Sequence, residues 1–378
     1  MANQSPPVPP DERRTDDPRG LNMEKRVKIG VIVVVLVAVA GGIGYEVLTS
    51  SVSNPCTGTS TAPTNATAGS PISKSFPEAP IARMPEGTSI HLPSAHRQST
   101  SGVIQVVAAE NFWGSLVSQL GGNNTSVLSI VSDPNADPHE YEANASDAEA
   151  IAAAQFVIVN GVGYDDWALQ LIAADNTPNQ VVLNVGELNG VSVSGGIVSG
   201  NPHMWYNPVY VNATVAAMYS DLASIEPTST PSFQGHYASL NASLASLYYQ
   251  ATEIRDHFAG SEVASTESIF VYLANFTGLN LVSPPSFMEA IAEGNDPPAQ
   301  SVVLFQCQLE SGHVKMLVYN EQTVTPITKN MRALAAANNV TIVGVTETIQ
   351  PPNYTFQYWM GAEFIQLYNG LNANSLGQ

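Results

Sequence analysis

Between Phe233 and Phe258 apolar side chains recur at alternating steps of four and three: Phe233, Tyr237, Leu240, Leu244, Leu247, Ala251, Ile254 and Phe258. That spacing sets all of them on one face of a helix, predicted over 231–258. So long a stripe must be buried from end to end, which asks for a partner surface on either side of its midpoint. The helix is expected to act as a spine between two bodies. On both sides of it the sequence alternates short apolar runs with amphipathic segments. Before the spine, strands are predicted at 103–108, 127–131, 156–160 and 181–185. Helices are predicted at 111–120, at 147–154 with Asp147 capping the first turn, and at 208–225. After it come a helix at 267–276, a strand around Leu281, a helix at 298–309, a strand at 314–319, a helix at 325–338, a strand at 340–345 and a last helix at 356–372. Apolar strands joined by helices imply parallel sheets buried on both faces. The expected fold class is therefore α/β: two similar lobes with parallel sheets, a long spine helix between them, and a ligand cleft at the carboxyl ends of the strands.

The N-terminal hundred residues follow other rules. Residues 29–45 form an uncharged apolar run, preceded by Arg13, Arg14, Arg19, Lys25, Arg26 and Lys28. The run is just long enough for a bilayer, and the basic flank places the first residues in the cytoplasm and the rest outside. About 28 hydrophilic residues precede it and no small-x-small cleavage site follows at once, which favours a retained single-pass anchor over a signal peptide. A lipidated Cys56 is the third reading, but Ser53-Asn54-Pro55 is a poor lipobox. Ser, Thr, Pro, Gly and Asn then dominate to about residue 102, the composition of a solvated tether. The expected organisation is a cytoplasmic tail at 1–28, an anchor at 29–48, a linker at 49–102, an N-terminal lobe at 103–230, the spine at 231–260 and a C-terminal lobe at 261–378. Net charge is −19, from 13 Lys+Arg against 32 Asp+Glu. Such a surface repels a phosphate backbone, which excludes nucleic acid as a partner and makes cations the natural complement. Two cysteines, Cys56 and Cys307, are too few for a disulfide framework or a cysteine-rich metal knuckle.

Two loops carry the chemistry. Asp133-Pro134-Asn135-Ala136-Asp137-Pro138-His139-Glu140-Tyr141-Glu142 leaves a predicted strand, and Asn201-Pro202-His203-Met204-Trp205 precedes a predicted helix. In both a proline restricts the residue before it and stiffens the segment that presents one imidazole. Rigid, repeated presentation of imidazole suits a metal ligand. The remaining histidines are read as structural or solvent-facing: His91 and His96 lie in the tether, His236 and His257 on the spine, and His313 in a turn.

The stretch DPHEYEANASDAEAIAAAQFVIVNGVGYDDW, together with NPHMWYNP, resembles the substrate-binding proteins of zinc, manganese and iron ABC importers. Asn201 stands where that family usually has Asp. The resemblance runs over about 103–375 and implies two further ligands. Glu267 stands five residues before Tyr272 and eleven before Gly278, the family's place for the third. Glu347, after the last strand, takes the fourth place, where the family has Asp. Glu321 is the substitute should Glu347 point away. Two imidazoles and two carboxylates would neutralise a divalent ion. The oxygen-rich set favours manganese or ferrous iron, with zinc kept open by its higher intrinsic affinity. The resemblance implies a monomeric extracytoplasmic receptor that delivers Mn2+, Fe2+ or Zn2+ to a cognate ABC permease and its ATPase. No catalytic residue and no catalytic cofactor is expected: G-x-S-x-G, HExxH and P-loop patterns are absent, and Gly161-Val162-Gly163 lacks the third glycine of a dinucleotide loop. The rival readings are a metal-dependent hydrolase and a surface adhesin on the same fold.

Overall fold

The computed structural model describes residues 102–373, apart from 136, 176 and 192–199. The predicted tail, anchor and linker lie outside the described residues. Among the described residues no helix is long and apolar enough to cross a membrane.

The first half contains β1 (Ile104–Glu110), α1 (Asn111–Gly121), β2 (Thr125–Val131), α2 (Ala145–Ala153), β3 (Phe156–Val159), α3 (Asp166–Asp175), β4 (Val181–Asn184), α4 (Val185–Leu188) and α5 (Pro208–Ile225). Its sheet is parallel with the order β2-β1-β3-β4. The long helix α6 (Thr230–Phe258) follows. The second half then runs β5 (Glu262–Ser265), α7 (Val271–Thr277), β6 (Asn280–Leu281), α8 (Pro285–Ala292), α9 (Ala299–Glu310), β7 (Met316–Asn320), α10 (Pro326–Ala337), β8 (Thr341–Val345) and α11 (Phe356–Ala373). Its sheet is also parallel, ordered β6-β5-β7-β8, so the two halves repeat one strand order.

Alternation along the strands sorts the core into layers. Val106 and Ala108 of β1, Phe156 and Ile158 of β3, and Met316 and Val318 of β7 face a central core that continues through both lobes. Their neighbours Val107, Ala109, Val157 and Val159 face a separate outer cluster with Ile151 and Ala168, and Leu317 faces another with Phe287, Phe305 and Leu309. The spine stripe lies in the central core. All its members are buried except Tyr237, which is half-buried, and α6 packs against α1 and α5 on one side and α7 and α11 on the other. At roughly 1.5–3 kcal/mol for each large apolar side chain taken out of water, this stripe is a principal tie between the lobes.

Local chemistry moves some expected boundaries. The cap of α2 is Asn144, not Asp147. Asn144 Oδ1 accepts the N–H groups of Ser146 and Asp147, and Asp147 reaches back to the N–H of Asn144, closing a capping box. The helix expected from Glu267 starts later. Glu267 is extended (φ −156°, ψ −172°), its carbonyl accepts the Ser265 hydroxyl, and a 3-10 turn Ser268–Phe270 intervenes before α7. β5, read as no element from its sequence, pairs with both β6 and β7.

Candidate metal centre

The carboxyl end of β2 opens into the first proline-led loop. There the Asp137 carboxylate accepts the N–H of His139 at 3.0 Å and caps a 3-10 turn, Pro138–Glu140, which aims the imidazole inward. The second loop folds by the same device with an amide in place of the acid. Asn201 Oδ1 accepts the His203 N–H at 3.0 Å and lies 2.7 Å from His203 Nδ1. With Nδ1–H donating there, the lone pair of His203 sits on Nε2, which faces the site. Asn201 does what its acidic counterpart could not, since its Nδ2 donates to the Ser268 carbonyl at 2.7 Å; its backbone carbonyl accepts the Tyr272 hydroxyl at 2.9 Å. Trp205, stacked on Phe112 with centroids 4.2 Å apart, anchors the loop in the core.

From the other lobe, Glu267 leaves β5 and Glu347 leaves β8. The structure brings His139, His203, Glu267 and Glu347 together, with one donor atom from each within 4.8 Å of all the others. His139 Nε2 lies 3.3 Å from Glu347 Oε2, and His203 Nε2 lies 3.7 Å from Glu347 Oε2 and 4.0 Å from Glu267 Oε2. For bonds of about 2.1 Å, neighbouring donors on a tetrahedron stand roughly 3.4 Å apart, so the cluster needs only slight contraction to surround one cation. His203, Glu267 and Glu347 are fully buried, and the His139 side chain is 18% exposed. His139 Nε2, His203 Nε2 and Glu267 Oε2 are buried without a hydrogen-bond partner. The two imidazole nitrogens have only carboxylate oxygens beside them and Glu267 Oε2 has no hydrogen bond, and a cation at the point they face would satisfy all three. Glu321 is exposed and lies outside the cluster, its carboxylate close beside Gly344.

Residues that sequence reasoning passed over hold the carboxylates in place. Asn320, at the end of β7, donates from Nδ2 to Glu347 Oε1 at 2.6 Å and to Glu267 Oε1 at 2.9 Å, which leaves the Oε2 atoms for the cavity. Asn320 directly precedes Glu321, the residue that drew notice. Tyr164 reaches across from the other lobe and donates to Glu347 Oε2 at 2.7 Å. The Thr323 hydroxyl lies between Glu347 Oε1 at 3.2 Å and Asp137 Oδ2 at 3.1 Å. Gly161-Val162-Gly163 is a structural turn with three successive positive φ values of 75°, 60° and 80°. It is fastened by Asp165, whose carboxylate accepts the N–H groups of Asn160 and Gly161, and it delivers Tyr164 to the site. Val162 is β-branched at positive φ, a conformation that persists only under such constraint.

The charges are arranged in pairs. Burial works against the His139 cation, yet the carboxylates of Glu347, Glu267 and Asp137 overcome it and raise its pKa to about 9. Burial likewise opposes ionisation of Glu347, but the two imidazoles hold it well below the ordinary carboxylate range. Glu267 goes the other way: burial first, then the charge of Glu347, push it well above that range. Burial lowers His203. The site therefore pairs a His139 cation with the Glu347 carboxylate, 3.3 Å apart.

Comparison with known proteins gives a consistent picture. The manganese-binding lipoprotein MntA of Halalkalibacterium halodurans is 28% identical over 127 residues, 33% of this chain and 40% of that protein. The chain spans less than two thirds of the length of the curated relatives it matches. Among solved structures, the periplasmic zinc-binding protein TroA from Treponema pallidum superposes with a TM-score of 0.62 at 15% identity, covering 71% of this chain and 99% of that one. The binding protein FpvC from Pseudomonas aeruginosa in complex with Mn2+ gives 0.58 at 18% identity, covering 72% and 99%. These likenesses show the fold. Residues 106–370, most of the chain, match the zinc-uptake complex component A periplasmic family, and the chain belongs to that family of metal-uptake binding proteins.

Proposed function

We propose that this protein captures a divalent transition metal outside the cytoplasm and delivers it to an ABC permease driven by a cytoplasmic ATPase. His139, His203, Glu267 and Glu347 are the ligands in this reading. Its single strongest support is the set of buried donor atoms from both lobes that converge on one point. Two neutral imidazoles and two carboxylates cancel the charge of a divalent ion. Either carboxylate can also bind through both oxygens, which allows more than four bonds, as manganese and ferrous iron prefer. The manganese named for one relative and one solved neighbour supports that preference; zinc, named for the matching family and for TroA, is the competitor. The lobe boundaries in this reading are 103–230 and 261–378, with 231–260 as the spine. A membrane anchor at 29–48 and a linker at 49–102 hold the receptor beside its permease.

Catalysis is disfavoured by the donor set. A metallohydrolase keeps a coordination position open to water and substrate, whereas here four protein groups from opposite sides close on one point and three of them are fully buried. The discriminating experiment is equilibrium titration of the metal-stripped protein with Mn2+, Fe2+ and Zn2+ in competition. One tight site per chain that retains Mn2+ or Fe2+ supports the proposal. Absence of saturable binding for all three would end it.

A further inference from the structure

Glu363, buried in the middle of α11, is an acid that the metal site does not use as a ligand. Its two oxygens serve different lobes. Oε1 accepts the Thr346 N–H at 3.0 Å, and Oε2 lies 2.6 Å from the Tyr206 hydroxyl. That hydroxyl also lies 3.0 Å from the Thr346 carbonyl. Thr346 directly precedes the ligand Glu347, so its carbonyl belongs to the peptide that carries Glu347. Tyr206 ends the 3-10 turn Met204–Tyr206, whose cap is His203, and its N–H donates to the His203 carbonyl at 3.1 Å. One acid therefore links the turn of a ligand in the N-terminal lobe to the peptide of a ligand in the C-terminal lobe.

Counting hydrogens fixes the state of that link. The Tyr206 hydroxyl has one hydrogen and two acceptors within reach, Glu363 Oε2 and the Thr346 carbonyl. With Glu363 ionised, one of these contacts sets lone pair against lone pair in a dry interior. With Glu363 protonated, Oε2–H donates to Tyr206 Oη, Tyr206 O–H donates to the Thr346 carbonyl, and the Thr346 N–H donates back to Oε1. Every member of that ring is then satisfied. We propose that Glu363 is held as a neutral carboxylic acid and acts as a positioning residue, locking the His203 turn and the Glu347 peptide in register for one metal ion. The positioning role rests on the receptor reading above; the proton does not. Burial pushes the Glu363 carboxyl up to about 8, against the hydrogen bonds from Tyr206 and Thr346, which agrees with the count. Tyr206 is the titratable group in contact with it, raised in turn by burial and by Glu363, Glu347 and Glu267. Its own helix adds Trp359, whose Nε1 donates to the Thr346 hydroxyl at 2.8 Å. The helices packed on α11 bring neutral side chains: Leu247 and Gln250 of α6 beside Gly361, and Ser115 and Gln119 of α1 at Phe356 and Gln357.

Urea unfolding of the metal-free protein tests the proton, with wild type compared against Glu363→Gln across pH. The amide can make the neutral acid's hydrogen bonds and cannot ionise. A carboxyl raised from 4.5 to about 8 keeps a proton that the unfolded chain gives up, so wild-type stability falls relative to the variant as pH rises through that window and levels off above 8. His139 and the other shifted groups are common to both proteins and cancel. The wild-type folding constant should lose about tenfold per pH unit against Glu363→Gln between pH 5.5 and 7. Parallel curves would overturn the neutral acid. Equilibrium titration with Mn2+ at pH 7 tests the positioning role. Glu363→Gln should keep the wild-type Kd within about threefold, whereas Glu363→Leu, which strands the Tyr206 hydroxyl and the Thr346 N–H, should weaken it about 10- to 100-fold with 1:1 stoichiometry intact. Where Glu363→Leu does not fold, Tyr206→Phe, which deletes both hydroxyl contacts, carries the same expectation. A Kd unchanged in the disruptive variant, or weakened alike in it and in Glu363→Gln, would overturn the positioning role. A wild type that binds none of Mn2+, Fe2+ and Zn2+ sinks the receptor reading and the positioning role with it, and the urea curves still decide the proton.

Discussion

Metal capture has to displace protons from this site, and the structure says from where. In the metal-free protein His139 carries a proton, with a pKa of about 9, and that proton occupies the nitrogen a metal would take. At pH 7 removing it costs two pH units at about 1.4 kcal/mol each, or about 100-fold in affinity. Glu267, raised well above the carboxylate range by burial and by Glu347, adds a second proton wherever it is still neutral. Raising the pH therefore tightens binding. His139 gives about tenfold per unit between pH 6 and 8. The linkage has a stability counterpart. The pKa of His139 is raised on folding, so its ion pair stabilises the metal-free fold fully below pH 6.5, and that stabilisation fades as pH rises through 9. The metal-induced rise in Tm should accordingly be larger at pH 8 than at pH 6. Calorimetric titration with Mn2+ at pH 7 in two buffers of different ionisation enthalpy counts the protons directly. At least about one should leave per ion. A count of zero, together with an affinity flat from pH 6 to 8, would refute this charge assignment.

Three substitutions probe individual roles. Glu347→Gln strips a buried ligand of its charge and should weaken metal binding on the order of 100-fold or more, while Glu321→Gln, at an exposed position, should leave the Kd unchanged; equal losses in competition titrations would show the fourth ligand to be misassigned. Asn320→Ala removes the amide that holds both carboxylates and should cost about 10- to 100-fold in affinity with the 1:1 stoichiometry intact. Asn201→Asp turns an N–H donor toward the Ser268 carbonyl into an oxygen, and should lower metal-free stability by about 1–3 kcal/mol, read as a shift in the urea midpoint. An unshifted midpoint would mean that this clip between the lobes contributes nothing.

Elements with a strong repeat were legible in the sequence. The spine stripe from Phe233 to Phe258 foretold α6 to within a residue, and the apolar runs marked most strands. β5 was not legible because Glu262-Val263-Ala264-Ser265 offers two apolar residues and owes its place to pairing on both sides. The start of the helix after Glu267 was misplaced because its local pattern is helical, while the Ser265 hydroxyl and the neighbouring strands hold Glu267 extended. His139 and His203 could be named from their loops, and Glu267 and Glu347 only from the family resemblance. Asn320 and Tyr164 could not, since an amide after a strand and a tyrosine after a glycine turn acquire a role only when distant segments meet.

Anomalous diffraction from crystals of the Mn2+-loaded protein locates the bound ion among its ligands. One strong peak is expected between the lobes, at bonding distance, about 2.0–2.2 Å by analogy with zinc, from His139 Nε2, His203 Nε2 and a carboxylate oxygen of each of Glu267 and Glu347. A peak elsewhere, or one that leaves either carboxylate uncoordinated, would contradict it.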